Sequence, residues 1–123
     1  MEMISHKKYI LMSLDRKKLK KIGFHYNRHI SDSDCDFYSI KFPALQYNKS
    51  TTVDGEIIAD MNTGEIRLNA YNYGTKNFYP PFYREECSEV YEPIIKKINN
   101  AFYNMFNKIG IIKSGNQNVR YKL

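Results

Sequence analysis

The chain contains no tryptophan, two cysteines and four prolines among its 123 residues. Cys35 and Cys87 stand apart, without Cys-x-x-Cys spacing, so neither a disulfide framework nor a cysteine zinc site is indicated and reduced thiols are expected. No apolar run approaches the ~18 residues that a membrane-spanning helix needs. The short patch Tyr9-Ile10-Leu11-Met12 leads into Asp15 and a basic stretch rather than a small-residue cleavage site. No secretory leader is therefore expected, and the cytosol is the expected compartment. Gly-rich phosphate loops and the Gly-x-Ser-x-Gly elbow are missing too. Together these absences remove most chemistry that a short motif can announce.

Tyrosine and phenylalanine are plentiful, at 11 and 7 residues, and 42% of the chain is hydrophobic. That supports one packed core and is too apolar for a disordered chain. A single α+β domain over residues 1–112 and a basic tail over 113–123 are expected. The prominence of Lys, Asn, Ile and Tyr fits AT-rich coding, as in low-GC bacteria and their phages. The formal net charge of +6 conceals a segregated pattern. Residues 1–30 carry eight bases and two acids, residues 31–92 five bases and eleven acids, and residues 93–123 six bases and no acid. If the two basic ends fold together, the molecule is strongly dipolar.

Residues 55–73 give the clearest structural signal. Ile57/Ala59/Met61 and Ile66/Leu68/Ala70 alternate with polar residues, as on two pleated strands with one buried face. Asn62-Thr63-Gly64 between them fits a type I turn with a bulge, with Gly64 in the left-handed region. Residues 24–30 and 37–42 are predicted strands, Pro43 marks an edge or a bulge, residues 31–36 form a turn, and residues 47–54 form a polar connection. Residues 14–22 are a predicted helix capped by Ser13 and stopped by Gly23. Residues 6–12 fit a strand or a helix equally.

The tandem proline in Phe78-Tyr79-Pro80-Pro81-Phe82-Tyr83 makes an extended crossover, whose aromatics are expected to pack under the last helix. Glu85, Glu86, Glu89 and Glu92 crowd the entrance of that helix and Pro93 fits its first turn. Ile94, Ile95, Ile98, Ala101, Phe102, Met105, Phe106 and Ile109 recur at helical spacing until Gly110 ends the stripe. The predicted fold is α+β: a four-stranded antiparallel meander with a short N-terminal helix and a long C-terminal one, in the order α-β-β-β-β-α.

Candidate chemistry is sparse. Asp32-Ser33-Asp34-Cys35-Asp36 opens like an EF-hand calcium loop, but Phe37 and Pro43 stand where that loop needs Gly and a bidentate Glu. On a strand, His25 and His29 lie roughly 13 Å apart, too far to share a metal ion. The acidic surroundings of Cys87 disfavour a thiolate nucleophile, and nothing marks Glu56 and Asp60 as a matched pair. No catalytic residue, metal or cofactor is expected.

Two surfaces remain. Lys17, Lys18, Lys20 and Lys21 on the first helix, with Lys96 and Lys97 on the last, are candidates for phosphate contacts. Arg67, Tyr71 and Tyr73 on the sheet, beside Lys41, and Tyr79, Phe82, Tyr83 and Arg84 in the crossover are candidates for a ligand or partner. Glu56, Asp60 and Glu65 oppose a polyanion on the sheet, so a protein is the expected occupant there.

The leading expectation is a small non-catalytic binding protein acting by protein–protein contact. The coding style points to a phage or mobile-element accessory protein, an inhibitor of a host nucleoprotein or defence nuclease. The alternatives are nucleic-acid binding through the basic helices and capture of a small nucleotide by residues 78–84. The strand edge carrying Pro43 also offers pairing with a second copy, a homo-oligomer.

Overall fold

The computed structural model describes residues 3–48 and 51–113, and the predicted tail beyond Lys113 lies outside them. The strands are β1 (Tyr9–Leu11), β2 (His25–Tyr26), β3 (Phe37–Asn48), β4 (Thr51–Asp60), β5 (Glu65–Asn72) and β6 (Ile111–Lys113), and the helices are α1 (Arg16–Ile22) and α2 (Glu92–Ile109). The strands form a single sheet in the order β2-β3-β4-β5-β1-β6, with every neighbouring pair antiparallel. The α+β class, the antiparallel sheet and the C-terminal helix agree with the prediction, but the sheet has six strands rather than four.

The additional strands come from the ends of the chain. β1 resolves the ambiguity of residues 6–12: Ile4–His6 is a 3₁₀ turn, and Tyr9 then pairs with Ile66 on one side and Lys113 on the other. Ile111 and Ile112, placed at the exit of the last helix, join this sheet edge as β6. β1 and β6, one from each basic end of the chain, are therefore neighbours.

Three boundaries move, each for a local reason. The strand predicted over residues 24–30 shrinks to two residues, because Asn27 turns the chain: its Oδ1 accepts from His29 N and its carbonyl accepts from Ser31 N. The polar connection predicted over residues 47–54 is mostly sheet, with Leu45 opposite Val53 and Gln46 opposite Thr52. Its polar residues belong to one face of a strand whose other face, Leu45 and Val53, is buried. Asp15, not Ser13, caps α1, its Oδ1 accepting from Lys17 N and Lys18 N at 3.0 and 3.2 Å.

Pro43 lies inside a 12-residue strand, and the register explains why it is tolerated. Asn27 N donates to Phe37 O from the outer side of β3, so the odd-numbered residues here turn their backbone groups away from β4. Pro43 shares that parity, so its missing N–H removes no bond to β4. Ala44 is then the extra residue of the bulge between Pro43 and Leu45.

One face of the sheet carries the core. Tyr38, Ile40, Ile57, Ala59 and Ala70 are buried there beneath Ile95, Ile98, Phe102, Phe106 and Ile109 of α2. The Phe102 ring meets Phe42 edge-on at 5.1 Å and stacks on Phe82 at 5.4 Å. The crossover aromatic Phe82 therefore packs under the last helix as expected, carried there by the 3₁₀ turn Pro80–Tyr83. α1 lies on the same side, with Leu19 in the core and Lys20 Nζ 5.8 Å from the Tyr38 ring centre. The opposite face is left without a helix among the described residues.

Candidate functional site

The uncovered sheet face is built from cross-strand rows. Lys41, Glu56 and Asn69 form one row, and Pro43, Asp54 and Tyr71 the next. Side chains in such rows stand ~5 Å from their neighbours, so their chemistry is shared.

Glu56 organises the pair of rows. It is only 7% exposed, although the alternation of β4 placed it on an open polar face. That expectation is corrected by its neighbours. Tyr71 Oη donates to Glu56 Oε1 at 2.6 Å and Asn69 Nδ2 donates to the same oxygen at 3.3 Å, so the carboxylate lies beneath a ring and an amide. A buried carboxylate is tolerable only with such donors. Asn69 Oδ1 in turn accepts from Tyr83 Oη at 3.2 Å, and Tyr83 Oη accepts from Ala70 N at 2.9 Å. A connected polar network thus runs from the crossover to the centre of the sheet.

Tyr71 is held on both sides of its ring. Phe78 stacks on it at 5.3 Å with planes 19° apart, and Lys41 Nζ lies 4.9 Å from its centre. The segment bearing Phe78 occupies part of the β5 edge that β1 leaves free. β1 pairs only with Glu65 and Ile66, whereas Asn72 N donates to Asn77 O and Tyr79 N to Ala70 O further along. Tyr79 is consequently buried and Phe78 is 56% exposed. Beside this cluster is a groove of about 700 Å³, lined by Pro43, Leu45, Gln46, Thr52, Asp54, Asn72 and Tyr73.

The sequence candidates separate into distinct places. Tyr71 and Tyr83 meet in the network, and Tyr73, 61% exposed, stands at the groove. Arg67 shares the face but lies four residues from Tyr71, roughly 13 Å along β5. Tyr79 and Phe82 are core residues and not surface contacts. Arg84 is engaged over the Tyr91 ring at 5.2 Å. Lys17, Lys18, Lys20 and Lys21 are exposed on α1, and Lys96 and Lys97 are exposed near the start of α2. It is the far end of α2 that meets the segment leading into α1, where Met12 N donates to Gly110 O. At 1.5 Å per residue, Lys97 is about 20 Å up the helix from that junction. The lysines make two patches, not one.

The groove at Asp54 and the stacking of Phe78, from the candidate segment 78–84, on Tyr71 escaped the sequence, since only the register joins them. Among the described residues, no three His, Cys, Asp or Glu side chains converge to hold a metal ion, and no helix is long and apolar enough to cross a membrane. Partial burial and then Asp32, Asp60, Asp34 and Asp36 push the Cys35 thiol up, away from the reactive thiolate.

Burial, followed by the bond to Glu56, raises the pKa of Tyr71 well above its ordinary value, and burial also raises Tyr79 and Tyr83. Groups whose folded pKa is raised stabilise the fold fully below their unfolded pKa, about 10 for tyrosine, and lose that contribution as pH rises beyond it. Unfolding midpoints should therefore fall above about pH 10. Tyr71→Phe removes a donor from a buried carboxylate, so urea titration at pH 7 should show a loss of about 2 kcal/mol. The same variant should show a shallower alkaline decline than the parent.

No known protein family, curated protein or solved structure gives a significant match to the chain.

Proposed function

We propose that this chain is a non-catalytic binding protein that holds a protein partner on the uncovered face of its sheet. The supporting observation is Phe78, a largely exposed ring fixed against Tyr71, which is itself bound to Glu56 and covered by Lys41. Pre-set aromatic side chains ringed by polar groups are the usual anchors of protein interfaces, because little side-chain entropy remains to be lost on binding. Across β3, β4 and β5, Asp54, Asp60 and Glu65 outnumber Lys41 and Arg67 on this face, with Glu56 buried beneath Tyr71, so the partner it suits presents a basic surface. A nucleic-acid-binding protein has such a surface, in keeping with an accessory protein that inhibits a host nucleoprotein or defence nuclease.

The second reading, direct nucleic-acid binding, is favoured by the exposed lysines of α1. Affinity capture from the native host with two variants separates the readings. Phe78→Ser should lose the captured protein, while Lys17, Lys18, Lys20 and Lys21 changed together to Glu should keep it. Retention by Phe78→Ser, with loss by the lysine variant and salt-sensitive binding of DNA or RNA, would reverse the assignment.

A further inference from the structure

The groove at the open end of β3, β4 and β5 differs from the aromatic cluster beside it. Among the described residues, the one charged side chain lining it is that of Asp54. This carboxylate is half-buried, and its hydrogen bond among the described residues is a long one, 3.5 Å from Gly74 N. The ion pair found among those residues, Arg16 with Asp36, lies elsewhere, and Lys41 is directed onto Tyr71. Among the described residues, Asp54 thus holds a negative charge in a concave site without a cation opposite it.

The surrounding groups define what fits. Gln46 brings an amide carbonyl, Thr52 in register with it brings a hydroxyl, and the exposed ring of Tyr73 stands at the rim. A carboxylate, neutral acceptors and an aromatic face together match a planar cation. Guanidinium satisfies all three, forking onto the carboxylate and stacking on the ring. The volume, about 700 Å³, is within the usual range of ligand pockets and exceeds one such side chain, leaving room for the segment that bears it.

We propose that this groove is an arginine-binding subsite, which takes the guanidinium of an arginine presented by the partner protein. It rests on the reading of the sheet face given above and names the side chain that the partner presents there. Asp54 holds the charge, Tyr73 covers the plane, and Gln46 and Thr52 accept the remaining N–H groups.

The test is a titration of the isotope-labelled protein with acetyl-Gly-Arg-Gly-amide, followed by amide chemical shifts. Saturable changes should concentrate at Thr52, Asp54, Asn72, Tyr73 and Gly74. Asp54→Asn should weaken binding about tenfold or more, as loss of a charge-assisted pair does. Its other resonances should stay in place, showing an intact fold. Glu65→Gln, on the same face outside the groove, should bind as the parent does. A non-saturating response, an equal response to acetyl-Gly-Glu-Gly-amide, or unchanged affinity in Asp54→Asn would overturn the subsite. Those outcomes leave the Phe78 contact standing, because capture by Phe78→Ser is scored without the peptide. Loss of the Phe78 result with a positive peptide titration would place the error in the wider reading instead.

Discussion

Phe102→Ala is expected to destabilise the fold by about 3–5 kcal/mol, enough to unfold much of a small domain at 37 °C. Phe102 is fully buried, and its ring is the junction of three groups: Phe42 from the sheet, Phe82 from the crossover and Phe106 one turn along α2. Removing it opens a cavity whose walls belong to separate elements held by their own backbone pairing, so little collapse can offset the loss. Urea unfolding monitored by circular dichroism measures the cost. A loss below about 1 kcal/mol would mean that α2 is not seated on the sheet as described.

The second large effect concerns Gly55, in the middle of β4. A Cβ added there would stand 2.6 Å from Cζ of Phe42, its cross-strand partner, and 2.9 Å from a second ring carbon. Phe42 cannot swing away freely because Phe102 meets it edge-on. Gly55→Ala should therefore cost about 1–3 kcal/mol, as overpacking does, despite the better strand propensity of alanine. The cause can be isolated with a double-mutant cycle. In a Phe42→Ala background the ring is absent, so adding the Gly55 methyl should cost close to nothing or stabilise slightly. Equal costs in both backgrounds would point to backbone strain in β4 rather than to the ring.

The same two residues show what the sequence carries. The stripe containing Phe102 and the alternation around Gly55 are short-range periodicities, and the helix, the hairpin and its turn at Gly64 were legible from them. β1 and β6 were not, because three-residue strands have no periodicity of their own and exist only by pairing with each other and with β5. β2 was overextended because Asn27 ends it through a side-chain bond that alternation does not register.

The candidate site divides in the same way. Tyr71, Tyr73, Tyr83 and Lys41 could be selected as aromatic and basic residues on a sheet. That Glu56 is the buried centre of the group follows from its register against Lys41 and Asn69, which pairs residues 13 to 15 positions apart. Tyr79, Phe82 and Phe78 have similar chemistry, and the pairing of residues 77–79 with the β5 edge, followed by the turn at Pro80–Tyr83, decides which of them faces outward. Separation of the basic patches at Lys17–Lys21 and Lys96–Lys97 likewise depends on the length of α2.

Site-specific photo-crosslinking in the native host tests the central claim most directly. A benzoylphenylalanine placed at position 78 or 73 should crosslink one discrete protein, while the same group at position 18 or 97, on the helix side, should give none. Crosslinks from positions 18 and 97 to nucleic acid or protein, with positions 78 and 73 silent, would contradict the assignment of the open sheet face as the binding surface.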